Sequence, residues 1–130
     1  MPSHLEIHPL SDQQKDELIR VLPNIKSLLV PVDDRHDMHG DARKLKDSVA
    51  HFMELFNYRE KVGGDAQVNC VRIRKEATLP INNPPRIFVP IEVSEESSIG
   101  EQKVDFGCYV YVTESVKICP SLTYLGLRRT

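Results

Sequence analysis

The hydrophobic pattern of this chain changes period once, at Gly63-Gly64: apolar residues recur at helical spacing before it and at every second position after it. Side chains return to one face of a helix after about 3.6 residues and to one face of a strand after two. Helices followed by a run of strands imply an α+β domain, with an antiparallel meander offering one face to the helices. The expectation is a single domain over residues 1–130, in which two N-terminal helical segments pack on one face of a four-stranded, mainly antiparallel sheet.

In the first half, Ser11 followed by Gln14 has the form of a capping box, and Leu18, Leu22, Ile25 and Leu29 follow at helical spacing. Pro23 interrupts that stripe, which predicts a kink or a short second helix with Pro23 near its first turn. The next helix is better defined. Ala42, Leu45, Val49, Phe52, Met53 and Phe56 share one face, and the element is expected to run to about Lys61, where Gly63-Gly64 can supply left-handed backbone.

Four strands are expected in the second half. The first spans Gln67 to Glu76, where Val68 and Cys70 lie on one face and Val71 and Ile73 on the other, so that either both faces are covered or a bulge shifts the parity. In the second, Ile87, Val89, Ile91 and Val93 alternate, while Pro90 favours an edge position because it cannot donate to a ladder. The third places Val104, Phe106, Cys108, Val110 and Val112 on one side and Tyr109 and Tyr111 on the other, and a fourth holds Val116 and Ile118 before Pro120. Two loops, Leu79 to Pro85 and Ser94 to Gln102, are expected to be solvated.

Composition limits the functional classes. The net charge is −2, and splitting the chain at Gly63 gives nine Lys/Arg against eleven Asp/Glu, then eight against eight, so no chain-wide field draws in nucleic acid or membrane. The N-terminus lacks a basic start and an apolar run, and no segment reaches the roughly 20 apolar residues of a membrane span, which leads us to expect a soluble cytoplasmic protein. Cys70, Cys108 and Cys119 are odd in number and lack C-x-x-C spacing, as expected of reduced thiols packed as small core residues.

Two constellations invite a chemical interpretation. Asp33 to Asp41 gathers two imidazoles and four carboxylates, and His36, His39 and Asp41 are candidate metal ligands. The spacing matches neither H-E-x-x-H nor an EF-hand loop, and Asp37 or Asp41 also suits the cap of the following helix. On the sheet, Arg72 and Arg74 share one face of the first strand and Tyr109 and Tyr111 one face of the third, with Arg86, Arg128 and Arg129 as extensions. If those faces coincide, they form a basic surface with rings for stacking. Tyrosine and arginine are equally enriched at protein interfaces, and the near-neutral charge favours protein as the partner.

No Gly-rich phosphate loop or nucleophile motif is present, and no cofactor is implied. The leading expectation is a non-enzymatic protein-interaction module, an adaptor, inhibitor or assembly subunit, that uses an outer sheet face not covered by helices together with the neighbouring loops and can self-associate. The alternative is an RNA- or nucleotide-binding protein using Arg72, Arg74, Tyr109 and Tyr111. A third is a metal-dependent hydrolase at His36, His39 and Asp41.

Overall fold

Apolar residues of the second half fall on both faces of its strands because helices cover one side of a large sheet and a smaller sheet covers much of the other. The computed structural model describes residues 5–79 and 86–130. In chain order the elements are β1 (Glu6–Pro9), α1 (Asp12–Ser27), β2 (Leu29–Pro31), β3 (His36–His39), α2 (Ala42–Phe56), α3 (Tyr58–Val62), β4 (Ala66–Ile73) and β5 (Ala77–Leu79). There follow β6 (Arg86–Val93), β7 (Ser98–Ile99), β8 (Gln102–Lys103), β9 (Cys108–Val112), β10 (Val116–Cys119) and β11 (Leu122–Arg129).

Four strands were too few. The main sheet has seven, in the order β1-β9-β6-β11-β4-β3-β2, and a second sheet has four, in the order β5-β10-β7-β8. Every pairing among the described residues is antiparallel. Of the strands that the alternation missed, the central one is β11, which pairs along its whole length with β4 and through most of it with β6. Leu122 to Leu127 is buried on both faces, so it forms an almost continuous apolar run without a period of two.

On the helix side, Leu18 and Ile25 of α1 and Phe52 and Phe56 of α2 meet Cys70, Ile87, Leu125 and Leu127 of the sheet. On the other side, Val71, Phe88, Val110 and Tyr124 meet Ile99, Val116 and Ile118 of the second sheet. The split parity of β4 therefore has the first of its two expected causes, burial on both faces, and its register with β11 is unbroken. The bulge lies instead in β6, where Thr123 pairs with Glu92 and Tyr124 with Pro90, leaving Ile91 as the extra residue. Parity is reversed beyond it, so Val93 joins the core of the second sheet rather than the face of Ile87 and Val89. Although β6 is internal, its pairing with β9 stops at Phe88, so Pro90 lies where only β11 is beside it.

Other expectations change for local reasons. The capping box of Ser11 and Gln14 is present, but α1 continues through Pro23, which is exposed together with Ile19, the residue whose carbonyl loses its partner. Asn57, with φ 56° and ψ 53°, ends α2 six residues before Gly63, and α3 is a separate short helix. Val104 and Phe106 precede β9 rather than belong to it. The Ser94 to Gln102 segment is not simply solvated: it contributes β7, and Ser97 and Ile99 are fully buried. Apart from Leu79, the proline-rich loop lies outside the described residues. No described helix is long and apolar enough to cross a membrane.

Gly126, in the middle of β11, is a close-approach position. A β-carbon there would collide with the amide oxygen of Asn69, its register partner on β4. Because the atom in the way is the end of a side chain that can swing aside, Gly126→Ala is expected to cost about 1 kcal/mol in urea unfolding, the low end of overpacking, and Asn69→Ala in the same chain should recover most of that loss. Additive losses in the double variant would show that the two positions are not in contact.

Candidate functional site

The acidic, histidine-bearing segment does not remain one cluster. Asp33 accepts backbone hydrogen bonds from Arg35 at 2.7 Å and His36 at 2.9 Å, and these hold its carboxyl below the usual aspartate range and form the β2–β3 turn. Asp41 caps α2 by accepting from the Lys44 amide at 3.0 Å. His36 to His39 is a strand rather than a loop, and residues three apart in a strand point to opposite faces. His36 Nδ1 lies 3.0 Å from Asp33, whereas His39 Nδ1 accepts the Cys70 amide at 3.2 Å. Among the described residues no group of three or more His, Cys, Asp or Glu side chains is placed to hold a metal ion.

The sheet candidates also separate. Arg72, Tyr109 and Tyr111 do share a face, but it is the one the helices cover. Tyr109 meets Phe56 of α2 edge-on at 4.8 Å and stacks with His8 of β1 at 5.2 Å, and burial raises the pKa of both tyrosines. Between β4 and β9 lie β11 and β6, so Arg72 and the tyrosines are separated by three strand spacings, roughly 14 Å. Arg74 leaves the sheet and holds the β2–β3 turn, with its amide on the Arg35 carbonyl at 2.7 Å and its guanidinium on the Asp33 carbonyl. Arg86 pairs with Arg128 on the opposite face.

Arg72 belongs to a polar row that crosses four strands. Asp37, Arg72, Thr123 and Glu92 are successive register partners on β3, β4, β11 and β6, and the β6 bulge turns Glu92 towards the helices. Arg72 donates to Glu92 Oε1 at 3.0 Å and to Thr123 Oγ1 at 3.3 Å, and Lys26 of α1 closes on Glu92 Oε2 at 3.0 Å. The buried Asp37 carboxylate is met by Arg74 Nε at 3.2 Å and by Arg72 Nη1 at 3.9 Å. Each ionised group in the row faces an opposite charge, as partly buried charges require.

A more open feature lies beside β4. Because β3 pairs with β4 only opposite Val71 to Ile73, the edge from Ala66 to Cys70 has no strand beside it among the described residues. The Cys70 amide points to that side, so by alternation the main-chain groups of Val68 and Ala66 do as well. Asp65 caps the Ala66 amide at 3.2 Å. A cleft of about 750 Å³ opens along this edge. One wall is the flank of α2 at Ala42, Lys46, Ala50 and Met53, and the other is the helix-free sheet face at Asn69, Gly126, Arg86 and Arg128. Of the sequence candidates, Arg86, Arg128 and His39 line it. Gln67 and Asn69 were missed because each is an unremarkable polar residue until the edge beside it is known to be open.

The three thiols are free, and burial pushes the Cys70 thiol up to about 12, which makes it inert. Burial alone would raise the Glu92 carboxyl, but hydrogen bonds from Lys26 and Arg72, aided by their charges, hold it below the usual glutamate range. A lowered folded pKa contributes stability that is complete above the unfolded value, about 4.3, and is lost as pH falls through the folded one. Glu92→Gln is therefore expected to flatten the loss of stability below about pH 4.3, measured by urea unfolding across pH. Superimposable acid limbs would remove Glu92 from the acid response.

Compared with known proteins, the chain matches no family model, no curated protein and no solved structure.

Proposed function

We propose that this protein is a non-enzymatic interaction module that binds an extended segment of a partner protein by strand addition at the open edge of β4. The observation that carries this reading is the half-paired β4: the Val68 main-chain groups and the Ala66 carbonyl face a cleft of about 750 Å³, with no strand beside them among the described residues. Exposed edges accept a further strand through main-chain hydrogen bonds, and pockets beside the edge select alternate side chains. From Ala66 to Cys70 the edge is five residues long, roughly 16 Å at the rise of a strand, which accommodates a short peptide. Small exposed residues on the facing helix, Ala42 and Ala50, leave room for it.

Selection from a displayed library of short random peptides tests the reading. Selected peptides are expected to slow hydrogen exchange at the Val68 amide. Ala50→Arg, at an exposed helix position, should abolish binding while changing stability by less than about 0.5 kcal/mol. Peptides that bind wild type and Ala50→Arg equally, or leave Val68 exchange unchanged, would exclude the β4 edge. Concentration-dependent self-association that protects Val68 would instead assign the edge to a second copy of the chain.

A further inference from the structure

We infer that the open edge of β4 receives the free C-terminus of its partner: the added strand runs parallel to β4, and His39 and Lys46 hold its terminal carboxylate at the Cys70 end of the cleft. The inference rests on the strand-addition reading and specifies the direction and the end of the ligand. β3 occupies the same edge of β4 opposite Val71 to Ile73, and the His39 ring accepts the Cys70 amide at 3.2 Å. An added strand lies in line with β3 and cannot continue past Cys70, so this place suits a chain end rather than an unbroken chain. Both side chains that meet it there are donors. With Nδ1 accepting from Cys70, a neutral imidazole carries its proton on Nε2, and among the described residues no acceptor meets that N–H. Lys46 is exposed and forms no ion pair among the described residues, and its neighbours one turn away on α2 are Ala42 and Ala50. Side chains on a helix lean towards its N-terminus, which brings the Lys46 ammonium towards the His39 end of the cleft.

The main-chain groups of β4 fit this direction. In a parallel pairing the last ligand residue donates to the Val68 carbonyl, and the residue two before it accepts from the Val68 amide and donates to the Ala66 carbonyl. That uses every group the edge has free, since Asp65 caps the Ala66 amide and His39 holds that of Cys70. The terminal carboxylate then falls level with Cys70, beside the His39 ring. An antiparallel strand would bring its amino end to the same place, where Lys46 repels an ammonium. The carboxylates that line the cleft stand at its other end: Glu54 is two turns beyond Lys46, about 12 Å along α2, and Asp65 precedes β4. Asp41, nearer to His39, is turned to the Lys44 amide. Arg86 and Arg128 lie level with Gln67, also towards the other end and on the opposite wall. The next-to-last side chain of the ligand points, like that of Val68, towards α2, where Ala50 and Met53 accommodate an apolar residue.

The probes are Ser-Val-Thr-Val-Thr with a free carboxyl end and the same peptide with a C-terminal amide, each carrying an uncharged fluorophore on its amino end and titrated against the full chain by anisotropy. The acid is expected to bind about tenfold more tightly at low salt and to slow exchange of the Val68 amide, with the advantage shrinking at high salt and lost in Lys46→Gln and in His39→Phe. Lys46 is exposed, so Lys46→Gln carries the test even if His39→Phe does not fold. Arg128→Gln is expected to keep the preference for the acid. A preference that survives in folded Lys46→Gln, or that Arg128→Gln abolishes, would place the carboxylate elsewhere and overturn the inference. Equal binding of acid and amide with protection of Val68 would overturn the terminal site and leave strand addition standing. Binding by neither probe overturns the terminal site alone if library-selected peptides still protect Val68, and strand addition with it if they do not.

Discussion

Burial of β11 on both faces is the constraint on which the rest of the structure depends. Leu125 and Leu127 point into the helix layer while Leu122 and Tyr124 point into the second sheet, so a single strand belongs to both cores. Both layers must be in place before its apolar surface is removed from water, and water exclusion is the main force available to hold them. Gly126 interrupts the run where Asn69 needs the space, and that pairing puts a polar amide beside the second-sheet core. The cleft begins where coverage by the second sheet ends.

The helix side solves a different problem. Its one polar row would be costly under a helix layer if any member were unpaired, yet Asp37, Arg72, Thr123, Glu92 and Lys26 satisfy one another. The β6 bulge makes this arrangement work, because without Ile91 as an extra residue Glu92 would face the second sheet. The bulge thus converts a regular apolar alternation into a charged contact that fastens α1 to the sheet.

The proposed function follows from incomplete pairing rather than from reactive chemistry. The carboxylates and imidazoles that crowd Asp33 to Asp41 are taken up by a turn, a helix cap, a strand end and an ion pair. Among the described residues, the fold leaves open a stretch of β4 main chain flanked by two arginines of one face and small residues of a helix. Exposed strand edges of this kind are ordinarily blunted or covered, so one that opens into a cleft is a natural place for a partner to complete the sheet.

The sequence by itself determined the α+β class, the capping box at Ser11, the amphipathic stripe of α2 and the main extent of β4, β6 and β10, because periodicity and capping are local properties. It also carried the conflict of parity in β4, whose resolution needed the second sheet. Tertiary structure alone decided that β11 is central, since burial on both faces erases the alternation that marks a strand. It also decided that the face of Tyr109 and Tyr111 lies towards the helices, although tyrosines alternating with valines suggest an outer surface. The separation of Arg72 from those tyrosines and the open edge of β4 were equally hidden, because strand order and the length of pairing depend on partners distant in the chain. A hydrophobic period fixes how a segment folds, but only its neighbours in space fix which of its faces and edges remain free.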